Sequence, residues 1–176
     1  PGLDLWARAA VSLEREGALG SAWRVERGHP LPGDEAVLEG ALTKRPDDAL
    51  VRLALATARA RGGDSAGAKA LLAADGPGER RELLAAESSL LGSLELAQGE
   101  VGKAVVEFER ARDAHPTVAV LFNLSQAYGR ALRLSEQAPT YSAARALDTD
   151  AIERFSNAAG GDPNQLLMPV RLPSAL

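Results

Sequence analysis

The chain has 176 residues, of which 45% are hydrophobic, with a formal net charge of -4, two histidines and no cysteine. This length suffices for one domain with a real core. The mild negative charge argues against nucleic-acid binding as the main task. The lack of cysteine excludes disulfides, zinc–thiolate sites and thiol catalysis. No apolar run is long enough to span a bilayer, and no signal peptide is visible.

Residue patterns typical of catalysis or metal binding are not found. His29 lies in a Pro/Gly loop and His115 directly precedes a proline, so neither is expected to act as an acid, a base or a metal ligand. Asp148, Asp150 and Glu153 lack the glycine and the regular oxygen spacing of a calcium loop, and helix capping explains them better. We therefore expect no catalytic residues, no metal and no cofactor.

The first part of the chain is predicted to be helical. Asp34 is expected to cap a helix over 35–44, and Asp47 or Asp48 a helix that ends at Arg61. Apolar periodicity predicts further helices over 3–16, 18–27 and 65–74. The Gly-Pro-Gly sequence at 76–78 then breaks the chain. We interpret it as a lengthened loop, because the helical period resumes intact at Leu83; a domain boundary is the alternative.

Residues 85–117 contain two apolar-periodic segments joined by a turn at Gly99 and ended by Pro116. Intervals of three and four residues are the helical period. The residues that carry the pattern are Ser88, Leu91, Gly92 and Glu95 in the first segment, and Ala104, Phe108 and Ala111 in the second.

This pattern resembles the tetratricopeptide repeat, of the type found in bacterial proteins, although the usual Trp and Tyr of its first helix are missing. Shifting the same residue pattern along the chain matches further segments, so the predicted repeats fall near 15–48, 49–84, 85–117 and 118–150. The resemblance implies an all-α, right-handed α-solenoid over residues 1–160. Pro139 predicts a short second helix in the fourth repeat, starting near Ala138. A capping helix over 151–159 and an extended tail over 161–176 that packs on a protein surface are expected to follow.

The resemblance also implies a concave groove lined by the first helix of each repeat. Mapping the family's groove positions onto this chain gives a predicted peptide-binding set: Leu19, Trp23, Leu53, Thr57, Arg61, Ser89, Ser93, Phe122, Gln126 and Arg130. Leu96 also maps to a groove position, and both it and Leu53 could belong to the core instead. The mapped groove has no lysine, so a clamp for a peptide's terminal carboxylate is not expected. Asn123 is common in the family whatever the ligand, and it is not assigned to the site.

Two functions follow from these expectations. The first is a non-catalytic interaction module that binds a peptide or helix of a partner protein in the groove. The alternative is a structural spacer or self-assembly domain of a larger bacterial protein, with or without attachment to a membrane. The chain begins with Pro1 rather than Met, so we expect it to be a piece of a longer protein. We expect a cytoplasmic location. If the chain is part of a larger protein, that protein could place it in the periplasm or at a membrane. Neither nucleic acid nor direct membrane insertion is expected.

Overall fold

A computed structural model describes residues 17–27, 31–73, 80–158 and 167–170. These residues contain nine helices and no strand, in agreement with the predicted all-α class. The chain divides into two compact units at Gly78, the position of the Gly-Pro-Gly break. The helices are α1 (Ala18–Arg27), α2 (Asp34–Lys44), α3 (Ala49–Arg61), α4 (Ser65–Ala73), α5 (Arg81–Ala97), α6 (Val101–Ala114), α7 (Val118–Arg130), α8 (Leu134–Leu147) and α9 (Thr149–Ala158).

Helices that follow one another along the chain pack against each other within each unit. In the first unit α1 packs on α2, α2 on α3, and α3 on α4; in the second unit α5 packs on α6, α6 on α7, and α7 on α8. Alternate helices also touch, namely α1 with α3, α5 with α7, and α7 with α9. Within each unit the described helices are therefore paired and layered, while a continuous solenoid remains a prediction.

Polar side chains cap the first turn of four of the described helices, because the first turn of a helix leaves backbone N–H groups without intrahelical partners. At the start of α4, Asp64 Oδ1 accepts from the Gly67 N–H at 2.8 Å. Asp48 Oδ1 accepts from the Val51 N–H at 3.2 Å, and Thr117 Oγ1 accepts from the Val120 N–H at 3.2 Å. Asp148 Oδ1 likewise accepts from the Ala151 N–H at 2.8 Å. The predicted caps at Asp48 and Asp148 are confirmed.

The same tight turn joins α3 to α4, α5 to α6, and α7 to α8. In each turn one residue has a positive φ: Gly63 at 90°, Gly99 at 80° and Leu132 at 59°. The N–H of the following residue bonds the carbonyl five positions earlier at 2.9 Å in all three turns. This closure satisfies helix-end carbonyls that would otherwise lack partners. Three helical hairpins thus share one local geometry, at the spacing of the predicted repeats.

The core of the second unit is built around Phe108, which is fully buried. Its ring lies against Gly92, where a Cβ would approach three ring atoms to 3.0 Å. Ala104 and Ala111 on the same face of α6 are also fully buried, which agrees with the predicted face. Small residues here let α5 and α6 approach closely, as the sequence spacing predicts.

The first unit has a separate core formed by α1, α2 and α3, with Leu71 of α4 packed against it. Leu38 and Leu55 are its largest buried side chains. The prediction that Asp34 caps α2 is wrong. Gly33 occupies the cap position, and the Asp34 side chain is buried. It accepts from the Ser21 hydroxyl at 2.9 Å and the Leu31 N–H at 2.8 Å, and it pairs with Arg24. Asp34 therefore connects α1 to α2.

Helix α8 is longer than the sequence predicts. It begins at Leu134 rather than near Ala138, and Pro139 lies inside it. Because proline has no N–H, one backbone hydrogen bond is lost at Pro139. The carbonyl that would accept this bond belongs to Ser135, an exposed residue that water can reach. Packing of α8 along α7 outweighs this local cost.

The predicted capping helix corresponds to α9, with Ile152 buried against the unit. Residues 167–170 have neither helix nor strand and pack on the second unit, as expected for this part of the tail. The predicted helix over 3–16 and the remainder of the tail lie outside the described residues. No helix in the described ranges is long and apolar enough to cross a bilayer.

Candidate functional site

The carboxamide of Asn123, in the middle of α7, binds the main chain of Met168 in the C-terminal tail. Asn123 Nδ2 donates to the Met168 carbonyl at 2.8 Å, and the Met168 N–H donates to Asn123 Oδ1 at 2.7 Å. Asn123 is only 1% exposed. One side chain thus satisfies both backbone groups of one residue, in the way that a neighbouring β-strand would.

Three apolar side chains around this pairing pack against three different clusters of the second unit. Leu167 joins a cluster that includes Leu124, Ala127 and Tyr128 of α7. Met168 joins the cluster of Leu121, Phe122, Ala144 and Ile152. Val170 joins the cluster of Ala85, Ala111 and Val120. Residues 167–170 therefore pack on the second unit beside the middle of α7, where Asn123 holds Met168. We call the surface that receives them, centred on Asn123, the α7 groove.

Aromatic packing fixes the wall of the groove next to Met168. The Phe122 ring lies 5.6 Å from the Phe155 ring at 77° and 6.2 Å from the Tyr141 ring at 53°, both measured between centroids. These arrangements are the tilted and edge-on ones that aromatic quadrupoles favour. Phe122, a predicted peptide-binding residue, is 4% exposed and belongs to the same cluster as Met168.

The other predicted site residues of the second unit differ in their exposure. Ser89 is buried, and its hydroxyl has no hydrogen-bond partner in the part of the chain that the structure describes. Ser93 is half-buried and donates to the Ser89 carbonyl at 2.8 Å. Gln126 is half-buried, and Arg130 at the end of α7 is exposed. Of these four residues, Gln126 and Arg130 share α7 with Asn123.

The remaining predicted site residues belong to the first unit. Trp23 is 53% exposed on α1, whereas Leu53 is buried, which favours the core interpretation left open for it. Thr57 is half-buried and donates to the Leu53 carbonyl at 2.8 Å, and Arg61 is exposed. Leu19 lies in α1, and its side chain is outside what the structure describes.

Ionisable groups near α7 form a structural network. The Tyr128 hydroxyl donates to Glu109 Oε1 at 2.7 Å, and the Arg133 guanidinium lies 4.6 Å from the centre of the Tyr128 ring. Burial and the hydrogen bond to Glu109 raise the pKa of Tyr128. Since this hydroxyl is kept protonated, it acts as a donor that ties α7 to α6. No cluster of three potential metal ligands occurs within the described ranges.

Sequence reasoning missed Asn123, the residue with the most specific contact to the tail. Its partner lies 45 positions further along the chain. The available signal was a lone amide in an otherwise apolar stretch of α7, flanked by Phe122 and Leu124. A buried amide requires partners, because an unpaired one costs free energy. The spacing of α7 alone could not show that the partner would be a main chain.

Comparison with known proteins adds no relative. No family model matches the chain, and neither a curated protein nor a solved structure matches it.

Proposed function

We propose that this chain is a non-catalytic interaction module whose α7 groove binds an extended segment of a partner protein. The observation that carries the proposal is the pairing of the Asn123 carboxamide with both backbone groups of Met168. Main-chain hydrogen bonds hold any extended sequence, while the neighbouring side-chain clusters select for apolar residues. The tetratricopeptide resemblance supports the same role, because such repeats bind partner segments along their first helices.

Apolar contacts are expected to contribute most of the affinity. Hot spots of binding are usually few, buried and often aromatic, which matches the packed rings of Phe122, Tyr141 and Phe155 in the cluster that Met168 joins. Arg130 is exposed at the end of α7 and could pair with an acidic flank of a ligand. Such surface pairs contribute only about 0–1 kcal/mol. The groove is therefore expected to bind with a weak dependence on salt.

The test is a selection of random linear peptides displayed on phage against the full chain, followed by binding assays with three proteins. These are the unchanged chain, Asn123→Ala and the control Arg130→Ala, with folding checked by circular dichroism. The proposal expects apolar, extended sequences whose binding is lost in Asn123→Ala and nearly kept in Arg130→Ala. If binding is kept in Asn123→Ala but lost in Arg130→Ala or at raised salt, electrostatic contacts rather than main-chain hydrogen bonds determine the affinity of the groove.

The alternative, a structural spacer or self-assembly domain, makes the opposite forecast. It expects no selected peptide and an oligomer whose size grows with concentration. Sedimentation of the unchanged chain over a wide concentration range distinguishes the two functions, because a peptide-binding module is expected to remain of constant size.

A further inference from the structure

Residues 167–170 use the α7 groove in a way that sets chemical requirements at each position. Both the N–H and the carbonyl of Met168 are hydrogen-bonded to the Asn123 side chain. Proline has no N–H, so it cannot occupy that position without leaving Asn123 Oδ1 unpaired. The next residue is Pro169, which is exposed.

The side chains on either side add apolar requirements. Leu167, Met168 and Val170 each enter a different cluster of the second unit, whereas Pro169 contacts none of the clusters described. The pattern is thus two adjacent apolar residues, a position open to proline, and a further apolar residue.

From this pattern we infer that residues 167–170 are an internal ligand of the α7 groove, and that the external ligand is an extended apolar segment of the same chemistry, which must displace them. The inference rests on the proposed function and extends it by naming the ligand class and the competitor. The occupant of the groove is a segment of the same chain, bonded to Asn123 in its own compact unit.

The internal ligand lowers the apparent affinity of an external one. A segment tethered to its own binding site acts at an effective concentration of about 1 mM. For an intrinsic Kd of about 0.1 mM, the tethered segment fills the groove roughly nine-tenths of the time, so external binding weakens about ten-fold. A partner with a better apolar fit, or several weak sites, overcomes this competition.

The experiment uses a fluorescent synthetic peptide with the sequence of residues 164–173 and three full-length proteins. Met168→Pro removes the N–H that bonds Asn123 and is expected to release the tail. Pro169→Ala, one position away, leaves both hydrogen bonds possible and serves as the matched control. The inference expects the peptide to bind Met168→Pro about ten-fold more tightly than the unchanged chain or Pro169→Ala.

A second peptide tests the main-chain requirement without altering the protein. Methylation of the backbone nitrogen of its methionine removes the same donor, and methylation of its valine nitrogen is the control. Measured on the Met168→Pro protein, the first modification is expected to abolish detectable binding and the second to leave a large part of it.

Each other outcome overturns a definite part of the account. Equal binding of the unmodified peptide to all three proteins would show that the tail is no competitor, while the proposed function stands. No binding of this peptide, with selected phage peptides still requiring Asn123, would overturn the ligand chemistry alone. Failure of both would overturn the proposed function as well. A concentration-dependent dimer that disappears in Met168→Pro would show that the tail fills the groove of a second copy instead.

Discussion

The ring of Phe108 occupies the space that Gly92 leaves by having no side chain. A Cβ at Gly92 would lie 3.0 Å from three atoms of this ring, closer than ordinary van der Waals contact. Phe108 is fully buried, so it has no solvent-facing position to move into. A larger side chain at Gly92 would therefore force α5 and α6 apart or displace the Phe108 ring.

Enlarging Gly92 is expected to destabilise the second unit. Gly92→Leu should cost about 1–3 kcal/mol through overpacking. Gly102→Ala is the matched control, because Gly102 is exposed on α6 and a Cβ there would meet nothing within 4 Å. That control should leave stability unchanged or raise it by less than the roughly 0.5–1 kcal/mol gained in a helix interior, because Gly102 lies in the first turn of α6. Urea unfolding measures the free energy of unfolding of both variants. An unchanged value for Gly92→Leu would contradict the packing of Phe108 against Gly92.

Removing the Phe108 ring should be the most destructive single truncation in α6. Phe108→Ala is expected to lower the free energy of unfolding by roughly 3–5 kcal/mol, since a buried aromatic leaves a cavity. Val106→Ala on the exposed face of the same helix is the control, with Val106 60% exposed. A loss below about 1 kcal/mol in Phe108→Ala would be incompatible with its burial.

Leu132 is expected to be a weak point of the turn between α7 and α8. It has a φ of 59° and is 82% exposed, whereas Gly63 and Gly99 occupy the corresponding positions of the other turns. The left-handed conformation costs a residue with a side chain roughly 1–2 kcal/mol. Leu132→Gly should therefore raise stability by up to about 1 kcal/mol. Gly99→Ala should lower it, and calorimetric Tm values that move in the opposite directions would refute this reasoning.

Asp34 makes the first unit sensitive to acid. Hydrogen bonds from Arg24, Leu31 and Ser21 hold the pKa of its carboxyl well below the usual range. Because the folded pKa lies below the unfolded one, the carboxylate stabilises the fold above about pH 4 and loses this contribution as the pH falls. Asp34→Asn should destabilise at neutral pH and flatten the acid dependence. Trp23 lies on α1, within one turn of Ser21 and Arg24, so tryptophan fluorescence can follow the unfolding of this unit. An unchanged acid profile in the variant would contradict the assignment.

Local periodicity was enough to predict most of the described helices and their buried faces, because intervals of three and four residues determine which side chains share a face. This explains the correct placement of Gly92, Ala104 and Phe108. It was not enough for α8, whose start depends on packing along α7 rather than on the local preference of Pro139. Asp34 was assigned to the wrong contact for a related reason, since Ser21 and Arg24 come from another helix.

The candidate site was the least predictable feature. Groove positions were mapped from a repeat pattern, which indicates which side of α7 a residue faces but not what covers it. The burial of Phe122 shows the consequence: its truncation would leave a cavity beside Tyr141 and Phe155, so binding and folding would change together. Asn123 is a cleaner probe, because the contacts described for its side chain are to the Met168 main chain.

Binding of an extended ligand's main chain by the Asn123 carboxamide underlies both proposals. Nuclear magnetic resonance of isotope-labelled Met168→Pro protein can observe it, by following the Asn123 side-chain amide protons during titration with the peptide of residues 164–173. We expect a large shift of these protons and an intermolecular Overhauser contact to the peptide's methionine. If the peptide saturates the protein while the Asn123 protons do not move, the carboxamide does not hold the ligand.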